Sequence, residues 1–196
     1  MRLRHSLLAG TTLFVSTFAL ASPGATPAAR EELSGVPNFA VVSPVLSRGA
    51  QPTLEGFRRL RERGIRTVVT LRAADYDGAA LAGLGLNSYR IRARQWNPRT
   101  DEVVRAMKVI LTPEYQPVFV HCQAGRDRTG LVVAVYRILV DHWSAEDAIA
   151  ERKAFGAWWF WWENKTYLRR LDVAGARRDL IAAIEAAPVP SVVRAP

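Results

Sequence analysis

The chain has 196 residues, a single cysteine, 49% hydrophobic and 9% aromatic content, and a formal charge of +9. That composition suits one globular domain with a sizeable core and excludes a disordered tail, and a lone cysteine excludes an internal disulfide. The positive charge favours acidic partners such as phosphorylated molecules, nucleic acid or an anionic membrane surface, without choosing among them.

Taken in order, Met1 to Ala21 opens with Arg2 and Arg4, continues through a short apolar stretch and closes on Ala19-Leu20-Ala21. This is the pattern of a secretory signal peptide over 1–21, with an uncleaved anchor as the alternative. Cleavage would leave 196 − 21 = 175 residues at a charge of +7, since two arginines and no acids are removed. Residues 22–38, rich in Pro, Ala and Gly and without periodicity, read as a linker. The folded domain is expected over 39–187, with a tail at 188–196.

Within that domain Phe39–Val42 and Val45–Arg48 are short apolar runs that predict two strands. Thr53 is placed to cap a helix over Leu54–Arg63 that ends at Gly64, with Leu54, Phe57 and Leu60 on one face and a solvated arginine face opposite. The β-branched run Thr67-Val68-Val69-Thr70-Leu71 predicts a core strand. A loop holding Asp75 and Asp77 follows, then a short helix over Ala79–Leu84, a strand over Asn87–Ile91 and a helix over Asp101–Leu111.

Pro117-Val118-Phe119-Val120 predicts a buried strand, and Leu131 to Val140 a buried helix. Between them lies His121-Cys122-Gln123-Ala124-Gly125-Arg126-Asp127-Arg128-Thr129-Gly130. Five residues separate Cys122 from Arg128. A loop of that length can aim successive backbone N–H groups inward while the helix N-terminus beyond adds partial positive charge, which makes an anion site. Gly125 permits the bend. The same field favours the Cys122 thiolate, the nucleophilic form; Arg128 offers a planar fork for two phosphoryl oxygens; and the Thr129 hydroxyl can donate to the sulfur and ease its departure.

At these residues the sequence resembles the cysteine-dependent protein tyrosine and dual-specificity phosphatases, whose signature is His-Cys-x-x-Gly-x-x-Arg-Thr/Ser-Gly. The resemblance implies a cysteinyl-phosphate intermediate, no metal or other cofactor, and an α/β fold: one compact domain with a central, mostly parallel sheet flanked by helices. Over about Val41–Ala174 it is the compact dual-specificity type, and with the signal peptide it is similar to bacterial periplasmic tyrosine phosphatases. Cys122, Arg128 and Asp127 are then the expected catalytic residues, and Gln123, Ala124, Gly125, Arg126 and Thr129 the expected substrate-binding ones, with His121 fixing the loop and tuning the thiolate.

The general acid is where the chain departs from the family pattern. Gln95 or Trp96 stands where an Asp is expected, and neither donates a proton at ordinary pH. Asp127, inside the loop, and Asp101, at a helix start, are the candidate replacements, with Asp75 a weaker third and no protein acid a further alternative. Arg126, with Arg92, Arg94 and Arg99 at the rim, would make the cleft cationic enough for an inositol phosphate as well as phosphotyrosine.

Past the buried helix, Ser144 starts a capping box for a helix through Ala154. Glu163 to Leu168 read as helical, and Trp158-Trp159-Phe160-Trp161-Trp162 as a packed cap with two or three rings on the core and the others exposed, a membrane-interface foot or partner site being the alternative. A last amphipathic helix is expected from Arg169 to about Ala187. The leading expectation is a secreted or periplasmic phosphatase acting on a phosphorylated protein or another phosphomonoester, not on nucleic acid. Phosphoinositide, inositol phosphate or lipid phosphate hydrolysis and a catalytically silent phosphate-binding module are the alternatives.

Overall fold

The computed structural model describes residues 24–74, 77–94, 99–158 and 162–186. The signal stretch, Asp75, Gln95, Trp96, Trp159–Trp161 and the tail from 188 onward lie outside the described residues.

Five short strands of four residues each make the sheet. β1 (Ala40–Ser43), β2 (Leu46–Gly49), β3 (Thr67–Thr70), β4 (Asn87–Arg90) and β5 (Val118–His121) form one sheet in the order β1-β2-β5-β3-β4. Only the β1–β2 pair is antiparallel. β2, β3 and β5 are buried along their whole length, as the interior of a parallel sheet covered on both faces requires. Their side chains alternate between two cores. Val68 and Phe119 join Phe57, Leu60 and Leu81 on one face, while Val69, Val118 and Val120 join the helical residues on the other.

The first face is covered by α1 (Leu54–Glu62) and α2 (Gly78–Ala82), the second by α3 (Thr100–Leu111), α4 (Asp127–Leu139), α5 (Ala145–Ala154), α6 (Trp162–Arg169) and α7 (Val173–Glu185). The two predicted caps form: Thr53 Oγ1 accepts from Gly56 N–H and Ser144 Oγ from Asp147 N–H, each at 3.1 Å, each contributing about 1 kcal/mol. No helix among the described residues is long and apolar enough to cross a membrane. The central α4 is tied to α5 by a buried ion pair in which Arg137 Nε and Nη2 donate to Glu151 at 3.1 and 2.8 Å.

Several boundaries depart from the sequence reading. The central helix begins at Asp127 rather than Leu131, so Arg128 and Thr129 belong to its first turn. The last helix starts at Val173 rather than Arg169, because α6 runs on to Arg169 and Asp172 caps the next helix by accepting from Gly175 N–H at 3.0 Å. Leu54, expected on the apolar face of its helix, is 49% exposed, while Phe57 and Leu60 are buried.

The described part of the stretch read as a linker packs on the domain. Val36 is 2% exposed within the first core, Ala28 N–H donates to Glu151 Oε1 at 2.8 Å, and Arg30 Nη2 donates to Ala154 O at 2.6 Å. The stretch has no periodicity because it lies across other elements as extended cover, anchored by a few side chains rather than by a face of its own.

Candidate active site

β5 delivers His121 and Cys122 at the sheet's C-terminal edge, and α4 starts five residues later, so the intervening loop closes over a helix N-terminus. Its shape is fixed from outside. Gln51 N–H donates to Gln123 O at 3.2 Å, Asn38 Nδ2 to Ala124 O at 3.4 Å and to Gly125 O at 3.2 Å, and Arg48 Nη2 to Gly125 O at 2.6 Å. In a trans peptide the N–H lies opposite the carbonyl. Three carbonyls held outward therefore turn the N–H groups of residues 124, 125 and 126 toward the concave side, where an anion would sit.

Gly125 makes this bend with φ +67°, and a Cβ there would lie 2.6 Å from the Gly49 carbonyl carbon and oxygen. Cys122 is 3% exposed. Burial pushes its thiol up, but the hydroxyl and N–H of Thr129, the Arg128 guanidinium and the Gly125 N–H outweigh it and hold the group below the ordinary thiol range. The Thr129 hydroxyl is fully buried and has no hydrogen-bond partner among the described residues, and it stands near enough to that sulfur to favour the thiolate. Arg128 Nη1 donates to Leu71 O at 3.1 Å, which anchors one edge of the fork beside the loop and leaves its remaining donors for a bound anion.

Behind the nucleophile lies a set of residues that the sequence reading did not assemble. His121, fully buried, places Nε2 3.1 Å from Oδ2 of Asp77, which is 1% exposed. Its Nδ1 lies 3.4 Å from the Cys122 carbonyl, and its ring stacks on Phe119 with centroids 5.7 Å apart. Burial would raise the Asp77 carboxyl, yet His121, Gln51 and Thr70 together hold it below the usual range. Gln51 also accepts from Arg72 Nη1 at 2.7 Å, so one amide joins the turn after β2 to the end of β3.

The expected site residues divide. Cys122, Gln123, Ala124, Gly125, Arg128 and Thr129 build the loop. Asp127 has partners outside the loop. It is 6% exposed, its Oδ1 accepts from Trp158 N–H at 3.1 Å, and Arg152 Nη2 lies 3.7 Å from the same oxygen. As the first residue of α4 it faces the segment after α5, which these contacts anchor. Asp101 is exposed and pairs with Arg99 at 3.1 Å and Arg105 at 3.4 Å. Arg126 is exposed beside the loop and runs past Gly156. Of the three rim arginines, all exposed, Arg94 and Arg99 are engaged by Glu102 and Asp101. Of the aromatic run, Trp158 and Trp162 are 49% and 71% exposed, and its three middle rings lie outside the described residues.

The local sequence carried little signal for Asp77 or Asn38, both ordinary loop residues. Arg48 had one, a charge inside a run otherwise fit for a buried strand.

A family model described as "DSP-PTPase phosphatase fused to NAD+ Kinase" matches residues 33–158. The chain is 31% identical over 143 residues to the dual specificity protein phosphatase TpbA of Pseudomonas aeruginosa, covering 71% of this chain and 65% of that protein. It is 28% identical over 138 residues to the inositol diphosphatase DSP5 of Arabidopsis thaliana, covering 66% and 67%. The crystal structure of a cysteine-to-serine variant of P. aeruginosa TpbA in complex with pTyr superposes with a TM-score of 0.70 at 26% identity, over 82% of this chain and 99% of that one.

Proposed function

The chain belongs to the DSP-PTPase phosphatase family, and from that premise we propose that it is a protein tyrosine or dual-specificity phosphatase acting through a cysteinyl-phosphate intermediate. The observation that carries this reading is a thiol held below its ordinary range inside a loop whose carbonyls are pinned outward by Gln51, Asn38 and Arg48. A phosphoryl group seated on the inward amides would be gripped by the Arg128 fork, with phosphorus in line with the sulfur. The S–P bond forms as the P–O bond breaks and the leaving alkoxide or phenoxide takes up a proton from water or a carboxyl group, and water then cleaves S–P to release inorganic phosphate and the thiolate. The Thr129 hydroxyl, which favours the thiolate, would stabilise the departing sulfur in that second step.

Phosphotyrosine in protein is the substrate this reading favours, with phosphoserine and phosphothreonine in second place. Inositol phosphates form the other substrate class, favoured by the exposed Arg126 beside the loop and by a relative named for inositol diphosphate hydrolysis. The basic, apolar stretch 1–21 with its small-residue end supports export to the periplasm or beyond, and a membrane surface stays an alternative site of action through the exposed Trp158 and Trp162.

Turnover of p-nitrophenyl phosphate, blocked by vanadate and abolished in Cys122→Ser, is the expected result. A wild-type protein that forms no phosphorylated Cys122 on rapid quench would overturn the mechanism. A panel of phosphotyrosine, phosphoserine and phosphothreonine peptides beside inositol phosphates decides the substrate class.

A further inference from the structure

Strand β2 pairs with β1 on one side and β5 on the other, and Arg48 stands opposite Val120, one position short of the register of His121. Its side chain is fully buried. The guanidinium carbon lies 3.8 Å from the centroid of the Phe155 ring, and Nη2 donates to the Gly125 carbonyl at 2.6 Å. Nε and Nη1 have no acceptor among the described residues. Burying a cation costs several kcal/mol, and leaving two of its donors unmade adds to that. A methionine in the same slot would fill the volume without either penalty. The arginine is therefore poorly explained as a stability device, and its one good hydrogen bond runs to the backbone of the nucleophile's loop.

We infer that Arg48 is a positioning residue of the phosphatase reaction: from behind the loop it holds the Gly125 carbonyl turned away from the anion, and it supplies a fixed positive charge that favours the Cys122 thiolate and a bound phosphoryl group. The inference rests on the phosphatase reading above. Burial lowers the Arg48 guanidinium to about 9, while Glu151 and the Cys122 thiolate favour its charged form and Arg30 and Arg152 oppose it, so it is charged at neutral pH. Because linkage is reciprocal, a thiolate that favours the charged arginine is itself favoured by it. Arg128 works on the same sulfur from the substrate side and moves with the transition state. Arg48, locked between an aromatic face and a carbonyl, is in place before substrate arrives, as electrostatic preorganisation requires.

The test uses the full chain with Arg48→Lys, Arg48→Gln and Arg48→Met, each checked for a cooperative thermal melt, and any one that folds decides. The first measurement is the pH midpoint of Cys122 alkylation by iodoacetamide, which needs no turnover; the second is the dissociation constant for orthovanadate. Arg48→Gln and Arg48→Met are expected to raise the midpoint by about one pH unit and weaken vanadate about tenfold or more. Arg48→Lys, keeping the charge, is expected to stay within about half a unit of wild type while kcat falls with KM little changed. A folded Gln or Met variant with wild-type midpoint and vanadate affinity overturns the inference, as does a Lys variant shifted as far as a neutral one. Failure of the phosphatase reading looks different: wild type would alkylate at low pH yet show no turnover of any phosphomonoester.

Discussion

The Asp77 carboxylate meets Nε2 of His121 at 3.1 Å with almost no solvent at either group, one residue away from the nucleophile. Asp77 is held below the ordinary carboxylate range despite its burial. A carboxyl depressed in the folded state gives stability that is fully present above its unfolded value and is lost as pH falls through the folded one. Asp77→Asn is therefore expected to lower stability at neutral pH by about 1–3 kcal/mol and to flatten the loss of stability on acidification. Thermal melts from pH 7 down to about 3 check this; a variant whose acid slope matches wild type would show that Asp77 is not a linked group.

Thr129→Val keeps the shape of the first turn of α4 and deletes the buried hydroxyl that favours the Cys122 thiolate. The Cys122 thiolate is expected to lose part of its depression, and hydrolysis of the intermediate to slow more than its formation. Rapid-quench kinetics on p-nitrophenyl phosphate should show a larger burst than wild type. Equal slowing of both phases would contradict the assigned role.

Asp127→Asn tests whether the loop carboxylate is an anchor or an acid. As an anchor to Trp158 N–H and Arg152, its loss should cost about 1–3 kcal/mol of stability. The ratio of kcat/KM between a good leaving group, p-nitrophenol, and a poor one, an alkyl alcohol, should stay near that of wild type. A selective loss on the poor leaving group would restore Asp127 as the proton donor. Asp101→Asn, at an exposed helix start, should change stability by less than about 1 kcal/mol.

Gly125→Ala forces a side chain into a left-handed position and against the Gly49 carbonyl. The strain of about 1–2 kcal/mol is secondary to the displacement of the loop, so kcat/KM is expected to fall by about a hundredfold or more in a protein that still melts cooperatively. Retention of wild-type vanadate affinity would mean that the loop tolerates the shift.

The reacting groups were legible in the sequence because they lie within one short stretch, where spacing alone determines which amides, guanidinium and hydroxyl surround Cys122. Most strands and helices were legible for the same local reason, a period of two or of three to four in the apolar residues. The support behind the loop was not. Arg48 reaches Gly125 across 77 residues and Asn38 reaches it across 87, and their partners exist only once β2 pairs with β5. The partners of Asp127 were not legible either: a carboxylate in the loop has the right chemistry for an acid, whereas which way it faces is decided by the packing of the segment after α5, far along the chain.

Asn38, in a left-handed conformation with φ 56°, accepts from Arg30 Nε at 2.8 Å and passes that restraint to the carbonyls of Ala124, Gly125 and Phe155. Trimming the chain to begin at Phe39, a natural choice for a minimal domain, would thus sever a brace of the nucleophile's loop while sparing every reacting group, and the fragment would be judged a weak enzyme for the wrong reason. Removal of residues up to Ala21, as an exported form would need, spares Ala28, Arg30 and Asn38. An affinity tag or fusion partner is better attached at the opposite terminus.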